Sequence, residues 1–273
     1  MSKQKATKKK CKKVAYFNGK GGCGKTTSIF HVVGVLAKRG EKILVIDLDK
    51  QRNSTDTMLM DNREDKPYTI LDFMQGKASA DEVVKKAYFK SRGNAKPKYY
   101  NVDVLGADIR LENEENLKDI DIKEKLNSFI EEQGYTWVIV DMPPSNKTLN
   151  DICFSQIVDF VIVPFTSDFY SVSGYGDTMD TVNKAREVNN NLNILGVYLS
   201  RFMENCGVDE YIKGELEERF GDMFIDVQIP LKADIREAVM FGRPISFYKQ
   251  NSSSITAYER LVAVMEKRIK QVL

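Results

Sequence analysis

The sequence predicts a doubly wound α/β fold, a mostly parallel sheet with helices on both faces. Two observations carry that expectation. Short apolar runs recur as KVAYF (13–17), KILVIDLD (42–49), TWVIVDMPP (136–144), FVIVPF (160–165) and NILGVYLSRF (193–202), and segments of helical spacing lie between them. The runs are apolar throughout rather than alternating, as in strands buried on both faces of a parallel sheet.

The elements follow in order. KVAYF reads as a strand, the glycine-rich stretch after it as a loop, and TTSIFHVVGVLAKRG (26–40) as a helix, with Ile29, Val32, Val33 and Leu36 on one face and Gly40 as its stop. His31 lies inside that helix and reads as a packing residue. KILVIDLD and TWVIVDMPP end in acids, which puts carboxylates at the carboxyl edge of the sheet, where ligands bind in such folds. SADEVVKKA (79–87) reads as a helix opened by a capping box of Ser79 and Glu82. AYFKSRGNAKPKYY (87–100) reads as a basic, poorly ordered surface loop. ENEENLKDIDIKEKLNSFIEEQG (112–134) reads as helical, and a last helix is expected from Thr256 to the end of the chain. No internal repeat appears.

With 273 residues and 42% apolar content the chain can bury a sizeable core. A basic tail over residues 1–12 followed by one domain over 13–273 is the expected organisation. No apolar stretch is long enough to cross a bilayer, and the N-terminus lacks the apolar segment of a secretory signal, so a cytoplasmic protein is expected. Four scattered cysteines and a single histidine suggest neither a disulfide framework nor a zinc site. The charge is unevenly spread: residues 1–13 hold seven lysines and no acid, leaving 34 bases against 39 acids, a net of −5, in the remainder. The lysine block reads either as a solubilising end or as an arm for DNA or another anionic surface.

Chemistry concentrates in GKGGCGKTT (19–27). Gly19, Gly24, Lys25 and Thr26 satisfy G-x-x-x-x-G-K-[ST], between a predicted strand and a predicted helix, which is the context this motif requires. The glycines let backbone N–H groups turn toward phosphate oxygens, Lys25 spans the outer phosphates, and the Thr26 hydroxyl can bind Mg²⁺. One feature exceeds that motif, a second lysine, Lys20.

GKGGCGKTTS resembles the deviant phosphate loop, K-G-G-x-G-K-[ST]-[ST], of the ParA/MinD family of dimeric ATPases. VIDLDKQRNST (45–55) is similar to that family's D-x-D-P-Q-x-N segment, YTWVIVDMPPS (135–145) to its second acidic strand, VDFVIVPF (158–165) to a further strand, and IPLKADIREAVMFGRPI (229–245) to the segment before the last helix. The resemblance implies a P-loop NTPase fold with ATP and Mg²⁺ as cofactors. It implies that Gly19, Lys20, Gly21, Gly22, Cys23, Gly24, Lys25, Thr26 and Thr27 form the phosphate site, with Lys20 reaching the nucleotide of a partner subunit and Lys25 serving its own. It further implies that Asp49 polarises the attacking water, that Asp47 and Asp141 with Thr26 hold Mg²⁺ or its waters, and that Arg201 and Pro230 frame the adenine.

The function implied is a DNA-partition ATPase that forms a homodimer on ATP, binds DNA without sequence preference at the nucleoid, and hydrolyses ATP slowly until a ParB-like centromere-binding protein stimulates it. With about a dozen residues ahead of the first strand, it resembles the small form of the family, without an N-terminal helix-turn-helix domain. A MinD-like membrane-surface positioning ATPase is the alternative, although the last helix reads as packed on the sheet, so that no stable membrane association is expected. Three departures stand out. Lys50 replaces a proline beside Asp49, where it either competes for that carboxylate or points to solvent. Cys23 replaces a small aliphatic residue and reads either as a reactive thiolate between two lysines or as a buried, inert thiol. Leu231 and Asp234 occupy positions where many chromosomal partition proteins place DNA-contacting arginines, with Lys232, Arg236 and Arg243 close by.

Overall fold

A computed structural model of the chain describes residues 10–62, 64, 66–91, 95–167 and 175–273. Residues 1–9 of the lysine tail lie outside them. In chain order the elements are β1 (Lys12–Tyr16), α1 (Lys25–Lys38), β2 (Ile43–Asp47), α2 (Asn53–Met58), α3 (Ile70–Met74), α4 (Ala80–Val83), β3 (Lys85–Phe89) and β4 (Lys98–Leu105). There follow α5 (Lys123–Gln133), β5 (Trp137–Asp141), α6 (Lys147–Ile152), β6 (Phe160–Thr166), α7 (Tyr175–Val188), β7 (Asn193–Phe202), α8 (Gly207–Phe220) and β8 (Phe224–Pro230). The chain closes with α9 (Ala233–Met240), α10 (Ile245–Tyr248) and α11 (Ser253–Val272).

The strands form one eight-stranded sheet in the order β3-β4-β2-β5-β1-β6-β7-β8. All neighbours are parallel except β3 with β4. β1 lies between β5 and β6, and the chain leaves it first toward β2 and only later toward β6 and β7, so the loop after β1 opens where the winding reverses. That is the place where an open α/β sheet leaves a crevice beyond its strand ends.

Every residue of β2, β5 and β6 is buried, which accounts for their unbroken apolar sequences. One face of the sheet packs Val14, Tyr16, Val45 and Ile139 against Ile29, Val33 and Leu36 of α1 and Leu261, Val262 and Met265 of α11. The other packs Ala15, Leu44, Val138 and Val161 against Leu126 of α5, Leu149 of α6, Val182 of α7 and Leu216 of α8. Fully burying one such aliphatic side chain contributes about 1.5–3 kcal/mol, so these two layers fix the strand ends that carry the acids.

The structure departs from the sequence expectations in four places. The capping box of Ser79 and Glu82 is present, but its helix stops at Val83, and Lys85–Phe89 continues as β3. The β-branched Val83 and Val84 and the aromatic Tyr88 and Phe89 favour a strand once Tyr88 can pair with Tyr99 and Phe89 with Lys98. The segment read as a poorly ordered loop is therefore the β3–β4 hairpin, apart from residues 92–94, which lie outside the described set. The stretch 112–134 is helical only over α5, preceded by two short 3₁₀ turns capped by Asp108 and Asn113. Finally, α11 starts at Ser253, three residues before Thr256, because the Ser252 side chain accepts from the Ser254 N–H and caps it.

Candidate nucleotide-binding site

The loop from Asn18 to Gly24 joins the end of β1 to the first turn of α1. Gly22 (φ 77°) and Gly24 (φ 83°) adopt left-handed backbone, which a side-chain-bearing residue rarely does, and this curls the loop around its own centre. Asn18 braces the turn: its Nδ2 donates to Pro164 O at 2.7 Å and its Oδ1 accepts from the Lys20 N–H at 2.8 Å. The Lys25 ammonium group is buried and points into the curl, donating to Asn18 O at 3.1 Å and Lys20 O at 3.3 Å. It also reaches the Cys23 sulfur at 3.8 Å; a cation held by such neutral groups of its own loop is ready to exchange them for phosphate oxygens.

Below the loop two carboxylates lie side by side, because Asp47 and Asp141 are in register at the ends of β2 and β5. Both are buried. Asp141 Oδ2 accepts from the Thr26 hydroxyl at 2.6 Å and from the Ser54 hydroxyl at 2.7 Å, while its Oδ1 has no partner among the described residues. Asp47 accepts from the Asp49 N–H at 3.0 Å and from the Thr55 N–H and hydroxyl at 2.8 and 2.7 Å. Burial raises the pKa of both, and the Asp141 charge raises Asp47 further. For Asp141 the hydrogen bonds from Thr26 and Ser54 and the charge of Lys25 oppose that rise.

A cleft of about 730 Å³ opens over this arrangement, lined by Gly21 to Ser28, Asp49, Ser200, Arg201 and Pro230 among others. The two residues expected at the adenine thus share the cleft with the phosphate loop, and Arg201 donates to Gly22 O at 3.1 Å. Gly19 and Lys20 do not line it. They border a second cleft, of about 1510 Å³, on the other side of the loop, with Pro144 to Lys147 and Thr178. The loop's two lysines therefore face two different spaces.

The structure resolves both open departures. Lys50 neither competes for Asp49 nor points away unpaired; it forms an ion pair with Glu112. Cys23 is buried, its thiol donates to Lys20 O at 3.3 Å, and burial raises its pKa more than neighbouring Lys25 lowers it. The buried-thiol reading holds, because the lysine charge does not offset the loss of water. His31 is fully buried as expected, its Nδ1 accepting from the Ile245 N–H at 3.0 Å. Sequence reasoning missed Asn18, Ser54, Thr55 and Ser200, although Ser54 and Thr55 stand in the quoted segment VIDLDKQRNST; hydroxyls directly after an acid-tipped strand were the available signal. Ser200 reaches Cys23 O at 2.5 Å and ties β7 to the loop.

The donor set suits ATP with Mg²⁺: a curled glycine backbone, a buried ammonium group, a hydroxyl, and a buried carboxylate oxygen without a partner. No group of three or more His, Cys, Asp or Glu able to hold a metal occurs among the described residues. Thr26, with the Asp141 and Asp47 carboxylates beside it, would hold Mg²⁺ or its waters, since Mg²⁺ in phosphate sites keeps several waters and takes few protein ligands.

Strand, glycine loop and helix in this geometry define a P-loop nucleotide-binding fold. The family model described as AAA domain matches residues 11–194. The chromosome partitioning protein ParA of Caulobacter vibrioides (strain NA1000 / CB15N) is 30% identical over 255 residues, which cover 91% of each chain. The structure of cobyrinic acid a,c-diamide synthase from Mycobacterium smegmatis with bound ATP analog and magnesium matches with a TM-score of 0.76 at 19% identity, over 96% of each chain. A Borrelia burgdorferi protein described as a plasmid partition protein, bound to AMPPNP, matches with a TM-score of 0.71 at 21% identity, over 95% of this chain and 100% of that one. The chain belongs to the ParA/MinD family of P-loop ATPases.

Proposed function

We propose that this protein is a DNA-partition ATPase that dimerises on ATP, holds DNA without sequence preference, and is reset when a ParB-like centromere-binding partner stimulates an otherwise slow hydrolysis. The observation that carries this reading is the separation of the two loop lysines: Lys25 lines the cleft with Asp49, Arg201 and Pro230, whereas Lys20 borders the space on the far side.

In this reading the loop N–H groups and Lys25 bind the phosphates, Thr26 with Asp141 and Asp47 holds Mg²⁺ or its waters, and Arg201 and Pro230 frame the adenine. Bound Mg²⁺ supplies neutralisation of phosphate charge. Asp49 lines the cleft, with its carboxylate accepting from the Gln51 N–H at 2.9 Å, and orients the attacking water. Lys20 reaches a second subunit's nucleotide. Two triphosphates facing one another repel strongly in a poorly hydrated interface, and a cation from the opposite subunit offsets that repulsion. A basic tail and a single ATPase domain work in the cytoplasm at the nucleoid; the domain begins at Lys12 rather than at 13, because Lys12 is buried in β1. Among the described residues no helix is long and apolar enough to cross a membrane.

The test measures retention of random-sequence duplex DNA and of anionic liposomes, each with ATP, ADP and no nucleotide. DNA held only with ATP is the expected result. Liposomes held with ATP, and no DNA, would make this a membrane-surface positioning ATPase instead.

A further inference from the structure

The folded body has one strongly basic region. Residues 83–102 of the sequence hold six bases and no acid, and of these Lys85, Lys86, Lys90, Lys96 and Lys98 lie among the described residues. Outside this segment and residues 1–13, the other 240 residues carry 28 bases against 39 acids, a net of −11. A nonspecific DNA-binding protein must meet phosphates with cations, so an acidic body leaves few places for that contact.

The C-terminal face between β8 and α11 is a poor candidate. Asp234 turns inward, accepting from the hydroxyls of Ser252 at 2.5 Å and Ser254 at 3.2 Å, and so joins α9 to the start of α11. Lys232 donates to the Ser253 hydroxyl at 2.9 Å, and Arg243 is half-buried. Arg236, the one cation of α9, is exposed, beside exposed Glu237.

The β3–β4 hairpin differs on each count. It lies at the opposite edge of the sheet, β3 has no strand on its outer side among the described residues, and Lys86, Lys96 and Lys98 are exposed. Lys86 lies over the Tyr99 ring at 5.3 Å and Lys98 over the Tyr100 ring at 5.6 Å, contacts that steady the long side chains while their ammonium groups stay in water. The ring of Tyr100 packs on Phe247, over which Lys38 of α1 also sits, extending the basic surface past the hairpin. Several described acids nearby are already engaged. Asp61 pairs with Lys90, Glu64 with Lys66, and the buried Asp103 accepts from the hydroxyls of Tyr99 and Tyr135.

We propose that the β3–β4 hairpin is the surface of the folded body that binds the phosphate backbone of duplex DNA, a placement that rests on the partition reading. Lys86, Lys96 and Lys98 make the phosphate contacts, and without base-edge readout the contact is indifferent to sequence.

The test uses the full chain with ATP and a fluorescent random-sequence duplex, titrated over a series of KCl concentrations. K86Q/K96Q/K98Q should weaken DNA binding at least about 10-fold and reduce the log–log salt slope by up to about 2.7 units, from ~0.9 per phosphate contact. ATP hydrolysis and melting temperature should stay at wild-type values, since all three side chains are exposed. K232Q/R236Q, the matched change at the other edge, should leave the slope within about half a unit. A triple variant with wild-type affinity and slope overturns the placement, as does one that loses only binding to phosphatidylglycerol vesicles. If wild-type protein with ATP holds no DNA, the partition reading falls as well, and the two failures are thereby told apart.

Discussion

The two sides of the phosphate loop carry opposite equipment. On the inner side Lys25 is buried, Thr26 is bonded to a sheet carboxylate, and Asp49, Arg201 and Pro230 line the same cleft. On the outer side Gly19 and Lys20 border a wider space, and the loop is fastened there by the Gly19 N–H donating to the Thr178 hydroxyl at 3.2 Å. The inner cleft, of about 730 Å³, is roughly half the volume of the outer one, of about 1510 Å³; in the proposed function the first takes the subunit's own nucleotide and the second faces a partner subunit. A phosphate loop with one lysine needs only the first.

Five changes would break or sharpen that contrast. The largest effect is expected from Asp49→Ala, which removes water positioning from the inner cleft while leaving phosphate contacts intact: steady-state hydrolysis should fall by about 10²–10⁴-fold, with an ATP-bound dimer accumulating in sedimentation. Asp141→Ala should behave differently, losing Mg²⁺-dependent ATP affinity; identical behaviour of the two variants would mean the carboxylates do not have separate roles.

Next comes Lys25→Ala, which takes a charge-assisted contact from the inner side and should weaken fluorescent-ATP binding roughly 10- to 100-fold even in dilute monomer. Lys20→Ala should leave monomer affinity for ATP within about twofold and raise the dimer dissociation constant by about 10-fold or more, as read by light scattering at several protein concentrations. Normal ATP-dependent dimerisation of this variant would reduce the outer lysine to a loop residue and erase the contrast.

The smallest effect concerns the support shared by both sides. His31, the only histidine, is fully buried in α1, and burial lowers its pKa to about 3. Because the folded pKa lies below the unfolded one, His31 contributes stability that is present above about pH 6.5 and lost as pH falls toward 3. The melting temperature should drop across that window, by an amount corresponding to no more than a few kcal/mol. His31→Gln should flatten this part of the profile, and an unchanged slope would assign the acid sensitivity to other groups.

Much of the site was legible in the sequence because its parts are local. The glycines, Lys25 and Thr26 occupy consecutive positions between a strand and a helix, and the acids mark the ends of apolar runs. Ser54, Thr55 and Ser200 were not legible, since their value comes from partners at the ends of other strands. The same holds for Lys50: its neighbour in the chain is Asp49, yet its ion pair is with Glu112, sixty-two residues on.

The edge hairpin gives the converse case. Residues 87–100 lack the unbroken apolar character of the central strands, because an edge strand is half-solvated and tolerates lysines. In the fold β4 pairs with β2, a segment far from it in the chain, and β3 pairs with β4.

By itself the sequence determined the alternation of strands and helices, the phosphate loop, and the supply of two lysines and three acids, all written in short-range spacing. Only the tertiary structure decided that Asp47 and Asp141 stand side by side, that Cys23 is buried, and that Lys20 and Lys25 face different clefts. These depend on sheet register, on the loss of water around a side chain, and on the direction in which a curled backbone projects each lysine, and none of the three is a property of neighbouring residues alone.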